Sequence, residues 1–88
     1  MKTVFRTSFA RDLKRLKNKS VLKRVQKAIE LVESADELLT VGDIKKMGGS
    51  EGFYRIRVGD YRIGIAVEED TVEFVRCLPR RDLYRFVP

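Results

Sequence analysis

Phe53-Tyr54-Arg55-Ile56-Arg57-Val58-Gly59-Asp60-Tyr61-Arg62-Ile63-Gly64-Ile65-Ala66-Val67 reads as two strands around a turn. Phe53 to Val58 and Tyr61 to Val67 are rich in β-branched and aromatic residues, which suit a pleated surface. Gly59-Asp60 has the composition of a two-residue hairpin turn of the primed kind. A loop of that length sets the register: Val58 faces Tyr61, Arg57 faces Arg62, Ile56 faces Ile63 and Arg55 faces Gly64. Alternation then sorts the side chains. Tyr54, Ile56, Val58, Tyr61, Ile63, Ile65 and Val67 point one way, toward a core. Phe53, Arg55, Arg57, Arg62, Gly64 and Ala66 point the other. A one-residue change in the turn would exchange the two sets.

The second face is unusual. Arg57 opposite Arg62 is a like-charge pair, which costs a strand pair some tenths to about 1 kcal/mol. Arg55 adds a third cation, and Gly64 and Ala66 are too small to fill the space. Three guanidiniums around a hollow suit an oxyanion, because arginine presents a planar fork of donors. The competing reading has these arginines extended over an open sheet, paired with Glu51, Asp60 or Glu73.

Outward from the hairpin, Thr71 to Leu78 reads as a further strand after the Glu68-Glu69-Asp70 turn. Pro79 stops pairing, and Arg80 to Phe86 has room for one or two helical turns. Tyr84 and Phe86 fit either core anchors or ligand-stacking groups. On the N-terminal side, Thr3 to Arg6 is a short strand. Ser8 is a plausible cap for a helix with Phe9, Leu13 and Leu16 on one face. Asn18 closes it. Ser20 can cap a second helix carrying Val21, Val25, Ala28, Ile29 and Val32 on one stripe. The short connection makes an antiparallel helical hairpin. Ala35 to Gly49 is ambiguous, with Asp43, Gly48 and Gly49 marking turns and Ile44 to Met47 a candidate edge strand. The order predicts an α+β domain: an N-terminal strand, a helical hairpin on a twisted antiparallel sheet, and a short C-terminal helical turn.

Its 88 residues make one domain, 1–88, of a size that is marginal in stability. Hydrophobic residues at 43% and charged at 36% indicate a folded protein. No apolar run is long enough to span a bilayer, and the N-terminus lacks a signal-peptide stretch. A single cysteine, Cys77, excludes an internal disulfide and reads as a small buried residue of a reducing compartment. With no histidine, Ser-His and Cys-His arrangements are excluded. Glu30, Glu33, Asp36 and Glu37 lack metal-ligand spacing, and Gly42, Gly48, Gly49 and Gly52 lack the pattern of a phosphate loop.

The net charge of +6 is strongly patterned. Residues 1–27 hold ten Lys or Arg and one acid, Asp12; residues 28–43 hold five acids and no base. The helical bases Arg11, Lys14, Arg15, Lys17, Lys19, Lys23, Arg24 and Lys27, with Lys45 and Lys46, suit a polyanion partner. A solvated helix face reads equally well.

Ile44-Lys45-Lys46-Met47, the tyrosine–arginine hairpin around Gly59-Asp60, and the tail Arg80-Arg81-Asp82-Leu83-Tyr84-Arg85 together resemble the RelE/ParE toxin superfamily of bacterial type II toxin–antitoxin systems. The resemblance spans the whole chain. It implies a cytoplasmic, metal-independent endoribonuclease without cofactors. Such toxins cut mRNA in the ribosomal A site, the ribose 2′-hydroxyl attacking the adjacent phosphate to leave a 2′,3′-cyclic phosphate. Carried over by position, Arg55 and Arg57 would activate or hold the reacting groups. Arg62 would stabilise the phosphorane, Arg80 or Arg81 would meet the leaving group or the scissile phosphate, and Tyr84 would stack on or orient a base. The helical bases, Lys45 and Lys46 would face RNA and ribosome. The implied partners are a cognate antitoxin, ribosome and mRNA, with operator DNA reached only through the antitoxin and no membrane. Two departures leave the proton acceptor unidentified: Arg55 and Arg57 stand where this branch has lysine, and Pro79 stands where many relatives have histidine. A ParE-like gyrase poison is the first alternative, against which Arg55, Arg57, Arg62 and Arg81 argue. A catalytically inactive nucleic-acid-binding co-repressor is the second.

Overall fold

The computed structural model describes residues 1–48 and 51–85. Its elements are β1 (Lys2–Phe5), α1 (Thr7–Arg15), α2 (Lys19–Ser34), a 3₁₀ turn (Leu38–Thr40), β2 (Ile44–Lys46), β3 (Phe53–Val58), β4 (Tyr61–Glu68), β5 (Thr71–Pro79) and α3 (Arg80–Leu83). The expected α+β architecture is present. Gly49 and Phe86 lie outside the described residues.

The hairpin register is the expected one: Val58 pairs with Tyr61, Arg57 with Arg62, Ile56 with Ile63 and Arg55 with Gly64. Gly59 takes the positive φ, 60°, that a primed turn demands at its first central position. A Cβ there would also sit 2.8 Å from the Arg24 guanidinium, which reaches over the turn. The strands run in the order β1-β5-β4-β3-β2. β2 through β5 form the antiparallel meander, and Ile44–Lys46 is the edge strand. β1 lies parallel to β5, so the complete sheet is mixed.

The main core lies between the helices and the inner sheet face. Phe9, Val25, Ala28 and Val32 meet Ile56, Val58, Ile63, Ile65, Val72, Phe74 and Cys77 there. These are the helical stripe and the inner strand set that the two periodicities separated. The outer face is not hollow throughout. At its end nearest Phe53, Met47, Val75 and Leu83 form a second small core with Phe53, Ala66 and Leu78. The open part is left around the arginines.

Two helix starts differ from expectation. Ser8 lies inside α1, whose N-cap is Arg6. The Ser8 hydroxyl instead donates to the Val75 carbonyl at 2.6 Å, where β5 carries one extra residue in a bulge against Gly64/Ile65. Asn18, not Ser20, caps α2: its Oδ1 accepts from the amides of Ser20 and Val21 at 3.0 and 3.2 Å. Asparagine with extended backbone reaches the second and third amides of the helix as serine would, so composition alone does not choose between them.

Asp12 fastens α1 to β5. It is 6% exposed and accepts from Arg76 Nε at 2.7 Å, from the Arg76 terminal nitrogen at 3.0 Å and from the Cys77 amide at 2.9 Å. Burial, and secondarily Asp12, pushes the Cys77 thiol up to about 12.

Candidate functional site

The guanidiniums of the outer face converge because three short-range constraints agree. Register places Arg57 beside Arg62, and alternation puts Arg55 on the same face. The Arg80 amide donates to the Asp60 carbonyl at 2.9 Å, which brings the start of α3 onto the hairpin turn. Together, Arg55, Arg57, Arg62 and Arg80 line a cavity of about 450 Å³ with Lys45 and Asp43. A second, open cavity of about 710 Å³ adjoins it, lined by Gly59, Asp60, Pro79, Arg81 and Tyr84 and sharing Arg62 and Arg80.

Arg62 stands at the junction. It donates to the Gly59 and Tyr61 carbonyls at 2.7 and 2.9 Å, which fixes its plane on the turn. Burial, and then the neighbouring Arg80, Arg55 and Arg57, push its pKa down, against a smaller upward pull from Tyr84. This crowding of positive charge is a preorganised seat for an anion. Arg55 donates to the Tyr84 hydroxyl and its guanidinium lies 5.6 Å from the ring centre. Tyr84 remains 49% exposed, leaving ring surface for stacking. Arg57 pairs with Asp43 at 3.0 Å. Of the acids weighed as arginine partners, Glu73 holds Arg6 at 2.7 Å, Glu51 lines a separate cavity with that pair, and Asp60 lines the second cavity beside Arg62 and Arg80.

The candidate residues therefore divide. Arg55, Arg57, Arg62 and Arg80 share one cavity, and Arg81 and Tyr84 sit across Arg62 and Arg80 from it. Lys45 pairs with Arg55 across β2 and β3 and belongs to the arginine cavity, whereas Lys46 pairs with Tyr54 and turns to the other face. Arg24 and Lys27 line a groove of about 220 Å³ between α2 and β3 that also touches Arg57 and Asp43. Arg11, Lys14, Arg15, Lys19 and Lys23 are exposed on the helices, Lys17 is exposed in the link between them because α1 ends at Arg15, and none of the six lines either arginine cavity. Asp43, a turn marker in the sequence, also enters the arginine cavity, which local composition does not show. Its signal was position: it directly precedes an edge strand whose register puts it opposite Arg57. Among the described residues no group of three or more His, Cys, Asp or Glu is placed to hold a metal ion. Among them, no helix is long and apolar enough to cross a membrane.

A family model described as the ParE toxin of type II toxin–antitoxin system, parDE, matches residues 4–84. The chain is 42% identical over 89 residues to Toxin RelE3 of Methanocaldococcus jannaschii, with 100% of each covered. It superposes on a chain of the RelB–RelE antitoxin–toxin complex from Methanococcus jannaschii with a TM-score of 0.82 and 40% identity, covering 97% of this chain and 99% of that one. The archaeal RelE–RelB complex from Pyrococcus horikoshii OT3 matches in fold, with a TM-score of 0.72 at 22% identity over 90% of this chain and 93% of that one.

Proposed function

The chain belongs to the RelE/ParE toxins of type II toxin–antitoxin systems, and from that premise we propose that it is a ribosome-dependent endoribonuclease that cuts mRNA through 2′-hydroxyl attack on the adjacent phosphate. The observation that carries this reading is the cavity in which four arginines meet. A phosphate in flight to a phosphorane gains negative charge on its equatorial oxygens, and fixed donors aimed at that charge are each worth about 3–4 kcal/mol. Arg62, tied to two turn carbonyls, holds its remaining donors toward the cavity for this purpose. Arg55 and Arg57 grip the phosphate from the neighbouring strand. Arg80 or Arg81 meets the leaving oxygen, and Tyr84 offers its exposed ring to a base. None of these roles calls for a metal. Lys45 and the helical bases steer the polyanion.

A cognate antitoxin follows from the same premise, since the matched complexes pair RelE with RelB. We propose that acidic antitoxin side chains fill the Arg55/Arg57/Arg62 cavity or displace the tail that carries Tyr84. A complex in which those arginines stay solvent-exposed with the tail in place refutes this.

The test is cleavage of mRNA on stalled ribosomes in a purified translation system without added metal, with naked RNA as control. Wild type cuts only on the ribosome, and Arg62→Ala and Arg81→Ala each lose about 100-fold or more. The matched family model, described by ParE, supports a second reading, gyrase poisoning. An absence of cutting together with growth arrest and gyrase inhibition by the folded protein would establish it.

A further inference from the structure

Attack by a 2′-hydroxyl needs a proton acceptor, and arginine stays protonated to above about pH 12. The arginine cavity has one other charge type in its wall, the carboxylate of Asp43. We propose that Asp43 is the catalytic base of this protein, taking the 2′-hydroxyl proton of the RNA. The assignment rests on the RNA-cutting reading above.

Three features of Asp43 support it. The first is its place. The Asp43 carbonyl accepts from the Arg57 amide at 2.9 Å, continuing the β2–β3 ladder by one residue. Asp43, Arg57 and Arg62 thus form one row across the sheet, each about 5 Å from the next. A phosphate gripped by Arg57 and Arg62 lies within a side chain's length of the carboxylate at the end of the row. The second is its backbone. Asp43 has φ 63°, one of only two non-glycine residues with positive φ among the described residues. Aspartate adopts this left-handed backbone readily, and here it turns the chain into β2 so that the Asp43 carbonyl meets the Arg57 amide while its carboxylate lines the arginine cavity. The third is its ion pair. Both side chains are more than half exposed, at 63% for Arg57 and 54% for Asp43. Such a pair adds little stability, so holding the fold together does not account for it. What it does is aim the carboxylate, while the other donors of Arg57 remain for the phosphate.

The step balances with these groups alone. The 2′-oxygen bonds to phosphorus as its proton passes to an Asp43 oxygen. The phosphorus–O5′ bond breaks, its electron pair stays on O5′, and O5′ takes a proton from solvent water. Asp43 then returns its proton to solvent.

Asp43→Asn and Asp43→Gly test this, because asparagine and glycine both adopt the left-handed backbone readily. Single-turnover cutting is measured on stalled ribosomes. Binding is measured in parallel with mRNA carrying a 2′-deoxy sugar at the cut position. Asp43→Asn is expected to cut about 10²–10⁴-fold more slowly. It should bind the deoxy complex at least as tightly as wild type, since a negative charge beside a polyanion has gone. Added formate should restore cutting by Asp43→Gly by about tenfold or more and do nothing for Arg62→Ala. Cutting by Asp43→Asn within about threefold of wild type overturns the assignment. So does a loss of cutting matched by an equal loss of binding, which would make Asp43 a shaping residue only. Wild type that does not cut removes the parent reading and this assignment together, an outcome distinct from both.

Discussion

Asp12→Ala strips three hydrogen bonds from one buried spot. It takes the Asp12 carboxylate from the Arg76 guanidinium, whose side chain is 19% exposed, and the acceptor from the Cys77 amide. Breaking a buried pair by removing one partner costs about 3–5 kcal/mol; the modest water access of Arg76 lowers this to about 2–4 kcal/mol. A chain of 88 residues has a total stability of about 4–13 kcal/mol, so the loss is a large share of it. The melting temperature should fall by about 10–25 °C. Thermal and urea unfolding followed by circular dichroism measure the change. If the cost comes from parting the buried Asp12–Arg76 pair, replacing both partners with apolar residues, Asp12→Leu with Arg76→Met, should recover much of it. The reasoning fails if Asp12→Ala melts within a few degrees of wild type, or if the double variant is no more stable than the single one.

Asn18→Ala should cost about 1 kcal/mol and Ser20→Ala close to nothing, as read by urea unfolding, because the α2 amides bond to Asn18. Cys77 has a folded-state pKa raised to about 12 from 9.0, so the folded protein holds its proton where the unfolded chain releases it. Stability should therefore fall as pH rises from about 9 toward 12, and Cys77→Ala should show a smaller fall over the same window. In the folded protein the thiol should resist iodoacetamide at neutral pH and react once urea unfolds the chain. Arg57→Thr loses an exposed ion pair and relieves a like-charge cross-strand pair, two small terms of opposite sign. It should leave stability within about 0.5 kcal/mol of wild type while cutting on stalled ribosomes drops by about 100-fold or more.

The hairpin was the most legible part of the sequence, because a two-residue turn leaves no freedom in register. From Gly59-Asp60 alone, the inner strand set and the outer arginines fall on their observed faces. The α2 stripe was equally readable from its 3.6-residue period. What escaped was set by contacts between residues far apart in the chain. Ser8 looks like a cap locally, but its hydroxyl is claimed by a bulge carbonyl 67 residues away. Asp12 stood out as the one acid in a basic block, yet nothing local says that its partner is Arg76, 64 residues on. Lys45 and Lys46 are indistinguishable until the β2–β3 register sends them to opposite faces. Asp43 joins the site only through that same register. The second small core was hidden for a related reason: Leu83 fills part of the outer face, and it arrives from an element beyond the sheet.

The parallel pairing of β1 with β5 has a consequence in time. Lys2 through Phe5 find their partners at Thr71 through Phe74, so the first strand waits for nearly the last. The anchors of α1, Val75, Arg76 and Cys77, arrive with the same strand, and Arg80 follows directly after it. Contacts of such long sequence separation form late and slowly. During synthesis the arginine cavity therefore has no fourth wall until the final stretch of chain has emerged. The site is thus among the last parts of the molecule to take shape, and its helices and hairpin stand ready before it exists.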